Sequence, residues 1–537
     1  MRIERIPNHL SRGKMNRASR FSVAMAVGLL AVCAQAKAFF AFNEDDTHYF
    51  CRKEAATREG LKAYIDDVCR GPVTHFFMCV NGQRACFDSR TIDSAWKGLD
   101  KPTGHAANLK KLNEEGVDAI RFWCECCRAK KVSPWLSIRM NDVHCVDQPD
   151  HPYLSSFWRN HPELWRGGPK AEPGMLRAFN YRFPEVRAYF LAFVKEVADR
   201  YDCADGIELD WLRFTEHLTP GKAREEAEFL TAFMREARGH VRAAAERRGR
   251  PLRLSVRVAT TPESALGYGM DVAAWAKEGL VDLVIPHNYR YEPDFDLPLD
   301  RWTAILKDAN PSVKVLPGCD SSIKIEHVAP DRKMNLDEFC GWADVMWSRG
   351  ARGLYLFNLY ENPPDCEVWN EILDHGLTEE YVANHRRRYP LTYLDTPGGR
   401  PSGRQLPCDV RSAKTFSIGV GRLPDAGTVS VFLAFDGPVP DGLRTGVTLN
   451  GVPAAACTDE PLDNWVNGYR SNMHSITWAS HPKYRFELPY LKTSLRLAFP
   501  RTALVAGANR IGLPAAETDS RLMALELEVD PKGDERK

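Results

Sequence analysis

Two carboxylates stand two positions apart in Asp205-Gly206-Ile207-Glu208-Leu209-Asp210-Trp211-Leu212-Arg213, directly after an amphipathic stretch ending near Tyr201. The run reads as a short strand. Successive strand side chains point to opposite faces, so Ile207 and Leu209 face a helix layer while Glu208 and Asp210 face the other way. An acid taken out of water is costly, so both must be paired, hydrogen-bonded or solvated at an open mouth. For Glu208 the expectation is an internal ion pair, for instance with Arg139 or Arg257. Asp210 lies nearer the strand's carboxyl end and is the candidate for chemistry.

Polar groups gather again in Leu136-Ser137-Ile138-Arg139-Met140-Asn141-Asp142-Val143-His144. The connection that follows, 143 to 180, carries His151, Trp158, His161 and Trp165, and so long a loop in a compact domain tends to be functional. Aromatic faces beside hydrogen-bonding groups suit sugar rings, which present C–H patches and hydroxyls; Trp158 and Trp165 could equally pack the loop onto its support. Other runs end in His287-Asn288-Tyr289, in Asp320, in Asn358 with Glu361, and in Asn43-Glu44-Asp45-Asp46. Several carboxylates with Arg, Asn and His are what glycoside hydrolysis needs. One acid protonates the leaving oxygen, and another attacks the anomeric carbon or activates water. Asp210 is one such carboxylate. Asp320 and Glu361 are the candidates for its partner, Asp320 ahead because it follows its strand by fewer residues. Arg139, Asn141, Asp142, His144, Trp158, Glu208, Trp211, Arg213, Arg257, His287, Asn288 and Asn358 are the expected substrate contacts. A metal set of Asp142, His144, Asp147 and His151 matches no established spacing and is the minority reading. No phosphate-cradling glycine loop, dinucleotide fingerprint or Gly-x-Ser-x-Gly elbow occurs, so no cofactor is expected.

The elements that must position these groups are legible from residue 39 to about 376, where short apolar runs alternate with amphipathic helices, the pattern of βα units around a parallel sheet. Eight strands are expected, at 39–43, 73–80, 135–140, 206–210, 252–258, 283–286, 313–316 and 353–357. Pro184 stands where a first helical residue belongs, and Val186, Phe190, Phe193, Val194 and Val197 then form one apolar face. Eight alternations predict an α/β fold, a (β/α)8 TIM barrel, with its active site at the strands' carboxyl ends. The basic run Arg386-Arg387-Arg388 and the Pro/Gly-rich 396–407 read as a linker. Strand candidates then follow at 415–420, 429–435, 447–449, 484–488, 494–499, 510–513 and 522–529, which predict an all-β sandwich. The expected domains are a signal peptide at 1–38, the barrel at 39–380, a linker at 381–412 and the sandwich at 413–537.

His161-Pro162-Glu163-Leu164-Trp165, Asn180-Tyr181, Pro184-Glu185-Val186-Arg187 and Asp205-Gly206-Ile207-Glu208-Leu209-Asp210 together resemble the glycosyl-hydrolase-like proteins labelled family 10-like glycosylhydrolases. Residues 137–144, 279–282 and 354–358 fit the same picture, so the resemblance spans most of 39–376. It implies a barrel and, by analogy with other glycosidases, an aspartate at the fourth strand's end, which falls on Asp210. A partial likeness to the family 18 chitinases, whose fourth strand reads Asp-Gly-x-Asp-x-Asp-x-Glu, breaks at two places. Glu208 replaces the middle Asp, and Leu212 occupies the position of the proton-donating Glu. That departure argues against a chitinase mechanism.

Composition sets the outer limits. The chain has 537 residues, 44% of them hydrophobic and 27% charged, an ordinary globular balance. Seven of its 72 basic and one of its 71 acidic residues lie in 1–38, leaving 65 against 70, so no nucleic-acid footprint is expected. Arg17 and Arg20 precede an apolar run from Phe21 to Cys33 and then Ala34-Gln35-Ala36-Lys37-Ala38. This is the form of a signal peptide, too short to span a bilayer that needs roughly 20 residues. A secreted or periplasmic protein is expected, with a carbohydrate substrate, no membrane span and no statement on oligomeric state. The alternatives are a non-catalytic carbohydrate-binding protein and a metal-dependent hydrolase. Cys124, Cys126 and Cys127 read as thiols on a core helix.

Overall fold

The computed structural model describes residues 38–44, 49–288, 293–323, 332–358, 366–391, 405–462 and 491–533. Its first strands are β1 (Phe39–Glu44), β2 (His75–Cys79), β3 (Ser133–Arg139), β4 (Gly206–Asp210), β5 (Arg253–Ala259), β6 (Leu283–His287), β7 (Lys314–Val315) and β8 (Gly318–Cys319). A hairpin of β9 (Ser322–Ile323) and β10 (Arg332–Lys333) and then β11 (Gly353–Leu356) follow. Among the described residues, nine of these strands form one curled sheet in the order β7-β6-β5-β4-β3-β2-β1-β11-β8, every pair parallel.

Where one seventh strand was expected at 313–316, two short ones occur. Pro317 has no N–H to donate and interrupts the ladder. Before it, β7 pairs with β6 and Leu316 N–H donates to the Val284 carbonyl at 3.0 Å. After it, β8 pairs with β11, and Phe357 N–H donates to the Cys319 carbonyl at 2.8 Å. One six-residue segment therefore bonds to strands at both ends of the curl.

The strand period divides the side chains as the sequence suggests. Ala41, Phe77, Trp135, Leu283, Ile285, Leu316, Tyr355 and Phe357 form a cluster on the concave face. Phe42, Phe76, Leu136, Ile138, Ile207, Leu209, Val256 and Val284 join the larger core under the helices. Each such apolar side chain contributes about 1.5–3 kcal/mol on burial. Gly206 is required here: a Cβ on it would lie 2.3 Å from the Trp135 ring, which fills the floor of the curl. Among the helices, Pro184–Arg200 starts at its proline and buries Val186, Phe190, Phe193, Val194 and Val197. Ala227–Arg248 stops at Gly249, a left-handed residue with φ 66°. Ala119–Ala129 buries Cys124 and Cys127, with the Cys127 sulfur 3.9 Å from that of Cys69.

The remaining strands are β12 (Arg387–Pro390), β13 (Cys408–Asp409), β14 (Lys414–Val420), β15 (Thr428–Phe435), β16 (Thr448–Leu449), β17 (Val452–Pro453), β18 (Ala456–Asp459), β19 (Thr493–Phe499), β20 (Gly507–Leu513) and β21 (Arg521–Asp530). They make two antiparallel sheets, β12-β21-β15-β19-β18 with β13 also on β21, and β14-β20-β16-β17. The strand expected at 484–488 lies outside the described residues, as does the segment 1–37.

The stretch read as a linker is not all linker. Arg387–Pro390 is fully buried and paired with β21. Its arginines are not a solvated charge run, because each has an acid. Arg386 meets Asp337 at 2.7 Å, Arg387 meets Asp344 at 3.0 Å, and Arg388 meets Glu526. Asp344, on the helix Leu336–Ser348, also accepts from Tyr389 and from the backbone of Gly421 and Arg422. Among the described residues, no helix is long and apolar enough to cross a membrane.

Candidate active site

The register of the sheet stacks the inward polar residues in layers. Ser137, Glu208 and Ser255 are level on β3, β4 and β5, and two residues nearer the carboxyl ends Arg139, Asp210 and Arg257 are level. In the upper layer Asp210 is fully engaged. Its Oδ1 accepts the backbone N–H groups of Leu212 and Arg213, each at 2.9 Å, and its Oδ2 accepts from Arg257 Nη2 at 2.7 Å. Arg257 Nη1 lies 3.1 Å from His287 Nδ1, and its guanidinium carbon sits 3.7 Å from the centre of the Phe357 ring. Burial first, and then Arg257, push His287 well below the usual imidazole range, so its ring is neutral and Nδ1 accepts. The ring packs against Gly318, where a Cβ would come within 2.5 Å of it, and Asp320 follows two residues later.

The sequence left Asp210 to be paired, hydrogen-bonded or solvated at an open mouth, with the ion pair the less expected outcome. The structure shows an ion pair whose side chains are 3% and 2% exposed. A carboxylate holding a guanidinium and two amides has both oxygens taken up by charge-assisted or backbone hydrogen bonds.

Glu208 does not form the ion pair expected with Arg139 or Arg257. Both arginines belong to the layer above, where Arg257 turns to Asp210 and Arg139 to Asp142. Level with Glu208 are serines. Its Oε1 accepts from Ser137 Oγ at 2.7 Å and, from across the curl, Tyr355 Oη at 3.1 Å. Burial, and then the charge of Asp210, push its carboxyl up to about 7. These two acids thus differ sharply in character although two residues separate them.

A second cluster edges this group. Asp142 Oδ2 accepts from Arg139 Nη1 at 2.8 Å and Tyr153 Oη at 3.0 Å, while its Oδ1 accepts from the His144 amide and lies 2.9 Å from His144 Nδ1. Burial alone would raise the Asp142 carboxyl, but His144 and Arg139 outweigh it and hold it well below the usual carboxylate range. His144 is 39% exposed, its Nε2 3.5 Å from Arg213 Nη2 and its ring edge-on to Phe214. An imidazole held by a carboxylate and open to solvent is equipped to move protons.

Other expected contacts are placed elsewhere. Asn141 clamps the long loop, its amide bonded to both the N–H and the carbonyl of Phe179. Trp158 is buried, stacked on Trp165 at 4.4 Å with its N–H on the Arg177 carbonyl, so the pair packs the loop. Trp211 continues the strand alternation away from Asp210 and lies in the helix layer against Tyr181, His217, Phe233 and Trp275. Asn288, Asp320 and Asn358 are buried, Asn358 with φ 52° and its N–H on the Asn43 carbonyl at 3.2 Å. Glu361 and Tyr289 lie outside the described residues. Among the described residues, no group of three or more His, Cys, Asp or Glu is placed to hold a metal ion.

Sequence reasoning missed Tyr153, Tyr355 and His217. Tyr355 has the inward phase of its strand, so alternation could have found it. Tyr153 sits in an irregular loop, and His217 is recognisable only from its buried bonds to Trp211 and Asn141.

No family model matches the chain, and no curated protein matches it. Its structural neighbours are glycoside hydrolases and related enzymes. A cycloisomaltooligosaccharide glucanotransferase of Paenibacillus sp. aligns over 93% of this chain at 10% identity and TM-score 0.34, and the chain spans 58% of that protein's length. A GH113 β-1,4-mannanase aligns over 60% of this chain and 87% of its own, at 14% identity and TM-score 0.34. A GH27 β-L-arabinopyranosidase from Geobacillus stearothermophilus aligns over 90% and 98%, at 12% identity and TM-score 0.36. Likeness at this level carries neither activity nor substrate to this chain.

Proposed function

We propose that the chain is an exported glycoside hydrolase of the family 10-like kind. In this reading the segment 314–319 closes the curled sheet into a (β/α)8 barrel, and the two antiparallel sheets form an accessory β-sandwich. The observation that carries the activity is Asp210, an inward aspartate at the carboxyl end of β4, held in place by Arg257 and two amides. Asp210 acts as the carboxylate that attacks the anomeric carbon or takes a proton from the attacking water. Asp320 is the second carboxyl, protonating the glycosidic oxygen as the bond breaks; Glu361 is the other candidate for this role. Arg257 and neutral His287 position Asp210. His144, Tyr153 and Arg213 hold sugar hydroxyls at the exposed edge, backed by the buried pair Arg139 and Asp142. Glu208, one layer deeper, tunes Asp210 rather than touching substrate.

The test is hydrolysis of a polysaccharide panel by the wild type, Asp210→Asn and Asp320→Asn, with melting temperatures measured alongside. Both variants should fold, and turnover should fall by roughly 10²-fold or more. Turnover retained by Asp210→Asn removes that residue from the mechanism, and glycan binding without hydrolysis by the wild type would make the chain a binding protein. The anomeric configuration of the first product then assigns the stereochemistry, corresponding to carboxyl separations of about 5 to 9.5 Å. A second reading rests on the Asp142–His144 pair: a hydrolase in which His144 transfers the proton. It requires turnover to survive Asp320→Asn and to vanish in His144→Gln.

A further inference from the structure

The loops after β2 and β3 enclose an open-sided cavity of about 430 Å³, within the range of small-molecule sites. It lies at the carboxyl end of the sheet, beside the group just described, and Tyr153 forms the partition. The Tyr153 ring lines the cavity, while its hydroxyl bonds Asp142 at 3.0 Å and Arg139 at 3.2 Å. His105 stands edge-on to Tyr153 with ring centres 6.3 Å apart, and Leu99, Pro152 and His151 complete the wall. Burial pushes the His105 imidazole down to about 4, so that ring is uncharged at neutral pH. Asp100 and Lys101 bring opposite charges to the edge, and the Arg84 guanidinium bonds the carbonyls of Pro152 and Lys97 and is balanced by Asp93 at 3.8 Å. His151 Nδ1 accepts the Tyr153 amide at 3.3 Å, which makes Nε2 the ring's N–H donor. Rings and aliphatic patches interleaved with hydroxyl partners, and no excess charge, match an uncharged pyranose and not a phosphate or a uronate.

We infer that this cavity is a subsite for a neutral sugar unit of a glycan whose chain continues past Tyr153 to Asp210. The inference rests on the hydrolase reading for the far end of that chain, and the occupant of the cavity is testable separately. Tyr153 would couple the two, since a sugar on its ring bears on the residue that holds Asp142 and Arg139.

The test is calorimetric binding of neutral cello-, manno-, xylo- and chito-oligosaccharides of two to six units to the full chain. Asp210→Asn is used beside the wild type so that turnover does not consume ligand. His105→Ala removes one ring. Thr103→Trp blocks the mouth from an exposed position whose side chain makes no capping hydrogen bond, so its folding is safe should His105→Ala melt. Affinity should rise with length up to four units or more, and both variants should weaken the longest ligand by roughly tenfold, more than the shortest. Unchanged affinities at every length in both folded variants would overturn the subsite, and hydrolysis by the wild type would then leave the Asp210 reading intact. Length-dependent weakening in a chain that cleaves nothing would uphold the subsite and overturn the hydrolase reading. No binding of any series by the wild type would overturn the subsite.

Discussion

Glu208→Gln isolates one buried titration. The carboxyl rises from its ordinary value of 4.5 to about 7, because burial disfavours the anion and Asp210 repels it. At about 1.4 kcal/mol per pH unit, that difference amounts to about 3 kcal/mol. The sign follows from proton counting. Below pH 4.5 both folded and unfolded chains hold the proton and the stability is fully present. Between 4.5 and 7 the unfolded chain has released it while the folded one keeps it, so stability falls as pH rises, and above 7 the loss is complete. Glutamine keeps the oxygen that accepts from Ser137 and Tyr355 but carries no charge at any pH. The variant should therefore match the wild type near pH 4.5 and exceed it by about 3 kcal/mol at pH 8.5. The assay is urea unfolding at fixed ionic strength across that range, where every other group cancels in the difference. Adding Asp210→Asn to both chains should shrink the pH-dependent part, since the second of its two causes is removed. A difference that is constant with pH, or that falls as pH rises, would refute the argument.

Asp344→Ala should destabilise by about 3–5 kcal/mol, measured by the same unfolding, because it leaves the buried Arg387 uncompensated and frees the amides of Gly421 and Arg422. A loss under about 1 kcal/mol would mean that the network does not tie the second half of the chain to the helix Leu336–Ser348. Gly318→Ala drives a Cβ to 2.5 Å from the His287 ring and should cost about 1–3 kcal/mol in unfolding. Gly239→Ala, on the helix Ala227–Arg248 where a Cβ meets nothing within 4 Å, should instead stabilise by about 1 kcal/mol, and equal effects of the two would refute the packing account.

The period-two pattern made most of the parallel sheet legible. The expected 206–210 coincides with Gly206–Asp210, and 283–286 differs from Leu283–His287 by one residue. What the pattern does not carry is pairing. Alternation showed that Glu208 and Asp210 face inward, but which arginine meets which acid depends on register, and register is a property of two strands at once. Composition misled at Arg386-Arg387-Arg388, where three consecutive charges look like solvent-exposed chain. Only the long-range partners Asp337, Asp344 and Glu526 make that strand tenable. Trp158 and Trp211 show the same limit from the apolar side. A tryptophan near a strand end suits both a sugar and a core, and burial decides.

The layering itself constrains the chemistry. A desolvated ion pair such as Asp210–Arg257 adds little net stability, since the cost of taking both charges out of water offsets their attraction. Its effect on the neighbours is larger. Arg257 holds one acid at the upper layer and, after burial, helps keep His287 neutral, while burial and then Asp210 push the Glu208 carboxyl below it up to about 7. The concave face thus stacks an arginine-paired acid above one that burial has raised. Among the described residues, the donors of the two proposed readings differ in access, Asp320 being buried and His144 reaching solvent. In the proposed hydrolase the scissile bond would lie between the donor and Asp210, near the carboxyl ends of β4 and β8.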